Sequence, residues 1–309
     1  MLIALIGTPS AGKTTVLEYL MEKHGFKEIG LEEQETSAFA SPMDMLDYTT
    51  RNWLEHHVTT SLQTYDQVDP FIKRPFFLLV SVDGPLRTRY GRECRRNPQL
   101  DLDAFIDQHD QLLNGPSSSR HPMDLRRLTD LANLTIHNNF SSIPSFYIHL
   151  DHLNLLDEER LRPGWDTYFM TLASLASHRS NCMKRRVGAL LVRSKRILST
   201  GYNGTPRGLR NCNQGGCSRC NGSAKGGESL NECLCLHAEE NALLEAGRER
   251  VGDDSVLYCN TCPCLRCSVK IVQTGVREVV YNQSYSMDEA SARVLKEGGV
   301  LLRQLHMPQ

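Results

Sequence analysis

Four side chains in the second half of the sequence have the types and spacing of a metal-dependent hydrolytic site. His237 and Glu239 open one predicted helix, and Cys264 and Cys267 open another. Two cysteines three residues apart at a helix start can turn both sulfurs toward one metal ion, and the helix dipole stabilises their thiolates. His237 would be a third, neutral ligand. The pattern predicts a zinc site with these three ligands and an open fourth position.

Glu239 supplies the proton-transfer group that such a site needs. Zinc at an open site lowers the pKa of water to about 7. Because Glu239 follows the histidine by two residues, it would lie beside that water without binding the metal. It is predicted to pass the water proton to the substrate and the leaving group. The alternatives are a structural zinc site, or a core histidine that lies near cysteines by chance. Neither alternative would need Glu239 or Pro263, so the pattern favours a catalytic zinc site.

The H-x-E and P-C-x-x-C segments together form the signature of zinc-dependent nucleobase deaminases. Residues 165–305 resemble the deoxycytidylate deaminase family in particular. The resemblance rests on five segments in order: VGA at 187–189, GYNGTPRG at 201–208, HAEENA at 237–242, PCLRC at 263–267 and VVY at 279–281.

This resemblance implies a cytidine-deaminase-like α/β/α sandwich with a mixed sheet, and hydrolysis of dCMP to dUMP and ammonia, which supplies thymidylate synthesis. It implies homo-oligomers, often hexamers, that dCTP activates and dTTP inhibits. It also implies substrate contacts from Asn203 and from the turn of Val187, Gly188 and Ala189, with Ala238 beside them. Tyr285 could close over the nucleotide or could be an exposed loop residue.

The phosphate of a nucleotide needs a basic or amide-rich partner. The basic residues nearest the matched segments are Lys184, Arg185 and Arg186 before the strand, and Arg207 in the loop. Arg186 is retained as the candidate, although such a run also suits a solvated surface.

Six further cysteines predict a second, structural zinc whose ligand set stays open. Four thiolates at these spacings would satisfy tetrahedral zinc. Of the 11 cysteines only Cys94 precedes residue 180, which favours metal binding over disulfides in a chain without a secretion signal. The six candidates are Cys182, Cys212, Cys217, Cys220, Cys233 and Cys235.

The start of the chain carries a different motif, a P-loop. Residues 7–14 read GTPSAGKT, between a predicted strand and a predicted helix. Backbone amides from Gly7 to Gly12 would cradle phosphates, Lys13 would contact the outer phosphates and Thr14 would bind magnesium. The sheet pattern and the segment LANLTIHNN at 131–139 weakly resemble small nucleotide kinases. The sequence departs from that pattern because Asp83 is the only attractive acidic candidate, so the domain could be regulatory or vestigial.

Alternating strands and helices predict an α/β protein of two domains, a P-loop NTPase or kinase-like parallel-sheet domain over 1–155 and the deaminase domain over 160–309. A boundary is expected within 157–164, and a loop at 115–119. Strands are predicted at 2–6, 75–82, 134–136, 146–150, 187–192, 196–202, 256–258 and 276–281, and helices at 13–24, 101–113, 165–178, 237–247 and 264–274.

Composition limits the alternatives. The 309 residues are 40% hydrophobic and 23% charged, with no apolar run long enough for a membrane helix. Residues 1–155 carry 14 basic and 20 acidic side chains, against 21 and 16 in the rest. The excess of basic over acidic side chains in the second half is too small and too dispersed for nucleic acid binding. With no signal peptide, a cytoplasmic protein is expected, with the nucleus as a second option.

Two rival functions remain. One is another zinc deaminase, acting on cytidine, a riboflavin precursor or tRNA, although tRNA would need a broader basic surface. The other is a nucleotide kinase whose second half binds zinc and nucleotide only as an oligomerisation module. Glu239 argues against that second rival, because a pure binding module needs no proton shuttle.

Overall fold

A computed structural model describes residues 1–31, 38–114, 125–225, 228–284 and 289–307. The chain divides into two compact units, Met1–Arg162 and Pro163–Gln309. The expected loop at 115–119 lies outside the described residues. Within the described residues, no helix is both long and apolar enough to cross a bilayer.

The first unit is built on a five-stranded parallel sheet in the order β2-β5-β1-β6-β7, beside a small pair of β3 and β4. Its strands are β1 (Leu2–Gly7), β2 (Lys27–Glu28), β3 (Gly30–Leu31), β4 (Ala38–Phe39), β5 (His57–Thr59), β6 (Phe77–Asp83) and β7 (Leu134–His137). Its helices are α1 (Lys13–His24), α2 (Pro42–Arg51), α3 (Tyr65–Ile72), α4 (Leu86–Cys94), α5 (Leu102–Asn114), α6 (Leu125–Leu131) and α7 (Ile143–Leu153).

Strand β1 shows how the first sheet buries both of its faces. Ile3 and Leu5 pack into one apolar cluster with α1 and α7, whereas Leu2 and Ala4 pack into a second cluster with α2, α3 and α6. A continuous apolar strand is what a parallel sheet covered on both faces requires. The segment that matches the P-loop pattern therefore begins at the carboxyl end of a central, fully buried strand.

One predicted element is wrong. Residues 146–150 were expected to form a strand, but they belong to helix α7. Ser142 caps this helix by accepting a hydrogen bond from the backbone N–H of Ser145. Phe146 and Leu150, four residues apart, face the core. The alternating pattern of this short segment was ambiguous, and the N-terminal cap with helical spacing decides the outcome.

The second unit has the mixed sheet that was predicted, with its strands in the order β12-β11-β10-β8-β9, and β8 runs antiparallel to β9 and β10. Its strands are β8 (Gly188–Arg193), β9 (Arg196–Tyr202), β10 (Ser255–Thr261), β11 (Glu278–Gln283) and β12 (Leu301–Gln304). Its helices are α8 (Trp165–Ser177), α9 (Ser218–Asn221), α10 (Ala238–Ala246), α11 (Arg248–Val251), α12 (Leu265–Thr274) and α13 (Glu289–Glu297).

Helices cover both faces of this second sheet. Along β8, Ala189 and Leu191 pack with α10, α12 and α13, whereas Leu190 and Val192 pack with α8. This alternation is the period of two expected for a strand between two helical layers. It holds α10 and α12 side by side on one face, so their N-terminal ends can supply a common site.

Candidate metal-dependent active site

The N-termini of α10 and α12 bring the three predicted metal ligands together. His237 is the N-cap of α10, Cys264 is the N-cap of α12 and Cys267 lies in the first turn of α12. Nδ1 of His237 lies 3.4 Å from Sγ of Cys264 and 3.3 Å from Sγ of Cys267. The ligand atoms of all three residues lie within 4.8 Å of one another.

These distances fit a shared tetrahedral ion. Zinc bonds of about 2.3 Å to sulfur and about 2.0 Å to nitrogen place two ligand atoms roughly 3.5 Å apart. Two thiols and one imidazole are also a donor set that binds zinc in preference to calcium or magnesium. The three residues can therefore hold a zinc ion and leave one coordination position for another ligand.

Glu239 lies beside this group, in the first turn of α10, and is only 3% exposed. Burial raises the pKa of its carboxyl group to about 7, and the neighbouring His237 opposes that rise. A carboxyl group whose pKa lies near neutrality can both accept and return a proton. The arrangement is chemically suited to a hydrolytic site, because three candidate metal ligands lie beside a buried carboxyl group that could carry a proton.

Asn203 connects the loop after β9 to the same helix end. Its Oδ1 accepts a hydrogen bond of 2.8 Å from the backbone N–H of Ala238, which satisfies one free amide at the start of α10. Gly204 and Leu236 pair through two backbone hydrogen bonds. The buried Asn203 side chain is thereby fixed beside the metal ligands.

The other predicted substrate residues have differing environments. Val187 and Gly188 are buried at the start of β8, and the side chains of Ala189 and Ala238 pack in the core. Only the backbone of these four residues could meet a substrate. Arg186 is exposed, as are Lys184 and Arg207, whereas Arg185 is partly buried. Tyr285 lies outside the described residues.

Sequence reasoning missed Asn260 and Asn181. Asn260 in β10 accepts a hydrogen bond of 3.1 Å from the backbone N–H of Gly188. Asn181 accepts from the backbone N–H groups of Thr205 and Cys212. No motif marks Asn260, and Asn181 could have been noticed only as the residue before Cys182.

The six remaining cysteines also come together, in the loop between β9 and α10 and the segment before β8. They form two groups of four whose sulfur atoms lie within 4.8 Å of one another. All six are free thiols. The groups are Cys182, Cys212, Cys220 and Cys235, and Cys217, Cys220, Cys233 and Cys235.

In the first unit, the segment that matches the P-loop pattern joins β1 to α1. Gly7 and Gly12 have φ angles of 143° and 108°, which L side chains rarely adopt. A Cβ at Gly7 would lie 1.9 Å from the carbonyl oxygen of Val82. Lys13 donates hydrogen bonds of 2.8 Å to the carbonyl of Gly7 and 3.0 Å to that of Thr8. The lysine therefore folds back over the loop.

A cavity of about 390 Å³ opens against this loop. Gly12, Lys13 and the exposed Thr14 line it, together with Arg92 and Asn138. Burial, with the nearby Arg89, lowers the pKa of Lys13 to about 8. The concave, basic space is chemically suited to an anionic ligand.

Asp83 ends β6, next to β1 in the sheet. It accepts a hydrogen bond of 2.7 Å from the Thr8 hydroxyl and lies 3.6 Å from the buried Arg89 guanidinium. These contacts give Asp83 a role in bracing the loop.

This chain is similar to known deaminases over nearly its full length. The cytidine and deoxycytidylate deaminase zinc-binding region matches residues 163–283. The deoxycytidylate deaminase of Schizosaccharomyces pombe is 45% identical over 322 residues, covering 99% of this chain and 98% of the relative. That of Saccharomyces cerevisiae is 44% identical over 317 residues, covering 98% and 96%.

Among solved structures, dCMP deaminase from the cyanophage S-TIM5 in complex with dCMP and dUMP matches 45% of this chain and 94% of its own, at 34% identity and a TM-score of 0.37. The two yeast relatives decide the assignment, because they match this chain over nearly its full length. This chain belongs to the deoxycytidylate deaminase family.

Proposed function

We propose that the second unit hydrolyses dCMP to dUMP and ammonia. The observation that carries the proposal is the buried Glu239 carboxyl group beside His237, Cys264 and Cys267. Family membership supports dCMP as the substrate, since the two yeast relatives are named for that activity. Thymidylate synthesis would use the product.

The protein's own groups perform the proton transfers. Glu239 takes one proton from the attacking water and delivers it to the ring nitrogen next to C4, then takes the second proton of that oxygen and delivers it to the departing amine. His237, Cys264 and Cys267 would hold a zinc ion, which would make the water more acidic by lowering its pKa to about 7. Burial favours the uncharged form of Glu239, so the carboxyl group can return its proton at neutral pH.

The contacts of Asn203 support a part in orienting the nucleotide. Because its Oδ1 is occupied by Ala238, the side-chain NH₂ group is the one that retains donor capacity. Backbone atoms of residues 187–189 and the exposed Arg186 are the proposed partners of the sugar and phosphate. Tyr285 stays a sequence-based candidate.

A substrate panel tests this proposal. The purified full chain is given dCMP, CMP, cytidine, a riboflavin-precursor pyrimidine and tRNA separately, and ammonia release is followed alongside ATP consumption. We expect ammonia from dCMP, with a higher kcat/KM than from any other member. Preferred release from cytidine or tRNA would assign the site to another zinc deaminase, and ATP consumption without ammonia would favour the kinase rival.

We further propose that the first unit binds a nucleoside triphosphate with magnesium through Gly7, Gly12, Lys13 and Thr14. The positive φ angles of both glycines, the position of Lys13 and the adjoining basic cavity support this. Deamination does not require phosphoryl transfer, so a regulatory role fits better than a kinase reaction. The P-loop NTPase fold is part of this proposal.

Nucleotide control and self-association are proposed from the family. Activation by dCTP, inhibition by dTTP and a homo-oligomer, a hexamer by resemblance, would follow the family pattern. Leu244 on α10 and Val269 on α12 are exposed apolar side chains on neighbouring helices, and they suit contact with another copy. Size-exclusion chromatography with light scattering measures self-association, and the rate of dCMP deamination with and without each triphosphate measures nucleotide control.

A further inference from the structure

The described residues of the thiol-rich loop between β9 and α10 form no aliphatic core of their own. Its buried cluster consists of cysteines, namely Cys212, Cys217, Cys220 and Cys235, with Cys182 and Cys233 packed against them. In the part of this loop that the structure describes, helical structure is limited to α9 and two single-turn helices, Cys212–Gln214 and Leu230–Glu232. A segment with so little apolar burial needs cross-links or metal ions to fix its conformation.

The sulfur positions fit zinc coordination rather than disulfides. Around tetrahedral zinc, sulfurs at about 2.3 Å from the ion lie roughly 3.8 Å from one another. Sγ of Cys220 lies 3.8 Å from that of Cys182, 3.6 Å from that of Cys233 and 3.9 Å from that of Cys235. Sγ of Cys217 lies 4.0 Å from that of Cys233. A disulfide would require about 2.05 Å.

The two groups of four cysteines share two members, and this sharing determines how many zinc ions six thiolates can hold. Cys220 and Cys235 belong to both groups. Each zinc ion takes four ligands, so two ions need eight ligand positions. Six thiolates fill all eight when two of them bridge both ions.

The surroundings of the sulfurs are suited to thiolates. The backbone N–H of Met183 donates to Sγ of Cys212, and that of Leu234 donates to Sγ of Cys217, each at a distance of 3.4 Å. The guanidinium of Arg219, only 8% exposed, lies 3.9 Å from Sγ of Cys220. It also donates hydrogen bonds to the uncharged backbone carbonyls of Glu228 and Lys225. Six thiolates and two Zn²⁺ leave a net negative charge, which this buried cation offsets.

We propose that this loop holds two zinc ions in one cluster, bridged by the thiolates of Cys220 and Cys235. Cys182 and Cys212 complete the first ion, and Cys217 and Cys233 complete the second. The cluster is distinct from the His237 site. Because Cys235 precedes His237 by two residues and Asn203 begins the same loop, the cluster would also fix both ends of the loop at the active site.

Metal analysis of the full chain, purified under reducing conditions without chelator, tests the count. We expect three zinc ions per chain, and two after His237→Ala, which separates the cluster from the proposed catalytic site. Cys94→Ser is the matched control, since Cys94 lies outside every described ligand group, and it should keep three. One or no ion remaining after His237→Ala overturns the two-ion cluster.

Bridging is tested on the wild-type chain by replacing zinc with an NMR-active cadmium isotope, which does not depend on any variant folding. Two cadmium signals with all-thiolate chemical shifts should show scalar coupling to each other through the shared sulfurs. Uncoupled signals, or a single one, would overturn the bridged arrangement. Among variants, Cys182→Ser and Cys233→Ser should each weaken the binding of one zinc ion, and Cys220→Ser should weaken the binding of both. Equal loss from all three would contradict the assignment.

Discussion

Gly201 is the position where one added methyl group should reach the active site through packing alone. Gly201 in β9 lies against the start of α10, the helix that carries Glu239 and begins at His237. A Cβ at this position would lie 2.0 Å from the carbonyl oxygen of Ala238 and 2.5 Å from the backbone nitrogen of Ala242. Both are backbone atoms, so no flexible side chain can move aside.

The size of the effect follows from these distances. Ordinary contact with a Cβ begins at 3.4 Å, so the strand and the helix must separate by about 1.4 Å to accept alanine. Overpacking of this kind typically costs about 1–3 kcal/mol of unfolding free energy. A displacement of about 1 Å between catalytic groups typically costs a factor of roughly 100 in rate. Gly201→Ala should therefore lower both stability and kcat for dCMP.

Urea unfolding and steady-state deamination of the folded variant measure the two effects. Gly91→Ala is the matched control, because a Cβ at Gly91 in α4 would meet no atom within 4 Å. The control should retain full activity and equal or slightly greater stability, since alanine favours a helix. A Gly201→Ala protein with wild-type stability and kcat would refute the reasoning about this close approach.

The remaining predictions concern both units. Lys13→Ala should weaken triphosphate binding at least about tenfold in calorimetry, through loss of charge-assisted contacts, while dCMP deamination without added triphosphate stays unchanged. Wild-type triphosphate affinity should fall as pH rises through about 8, because burial lowers the pKa of Lys13 and the neutral amine no longer attracts phosphate; Lys13→Arg should remove this pH dependence, and a pH-independent wild type would contradict it. Tyr258→Phe should lower the free energy of unfolding in urea by about 1.5 kcal/mol, because it deletes the 2.7 Å hydrogen bond to Asp166. An unchanged free energy of unfolding would mean that this bond gives no net stabilisation.

The grouping of His237, Cys264 and Cys267 could be predicted from sequence because part of the signal is local. Cys264 and Cys267 lie on one turn of α12, so their spacing alone directs both sulfurs to one side. The approach of α10 to α12 depends on the whole mixed sheet, and the sequence led us to expect it only through the motifs shared with known deaminases. The sharing of Cys220 and Cys235 could not be predicted, because it depends on how a loop with little regular structure folds back on itself.

Several elements of the first unit were missed for two different reasons. Strands β2 to β5 are two or three residues long, which is too short for an alternating hydrophobic pattern to be recognised. Helices α2 and α3 did carry local signals, namely the Ser41 cap with Pro42 and the capping box of Thr64 and Gln67, which sequence reasoning overlooked. The strand wrongly assigned to 146–150 shows the same weakness, since Ser142 already marked a helix start there.

The central claim is that Glu239 moves protons beside a zinc ion that it does not bind, and Glu239→Gln tests it most directly. Glutamine keeps the size of the buried side chain but cannot carry the proton. The assay measures dUMP formation from dCMP and zinc content on the same preparation, with His237→Ala as the variant that should lose both. We expect dUMP formation to fall by roughly 10² to 10⁴ while zinc content stays at the wild-type value. Substantial dCMP turnover by Glu239→Gln, or loss of zinc from it, would contradict the account.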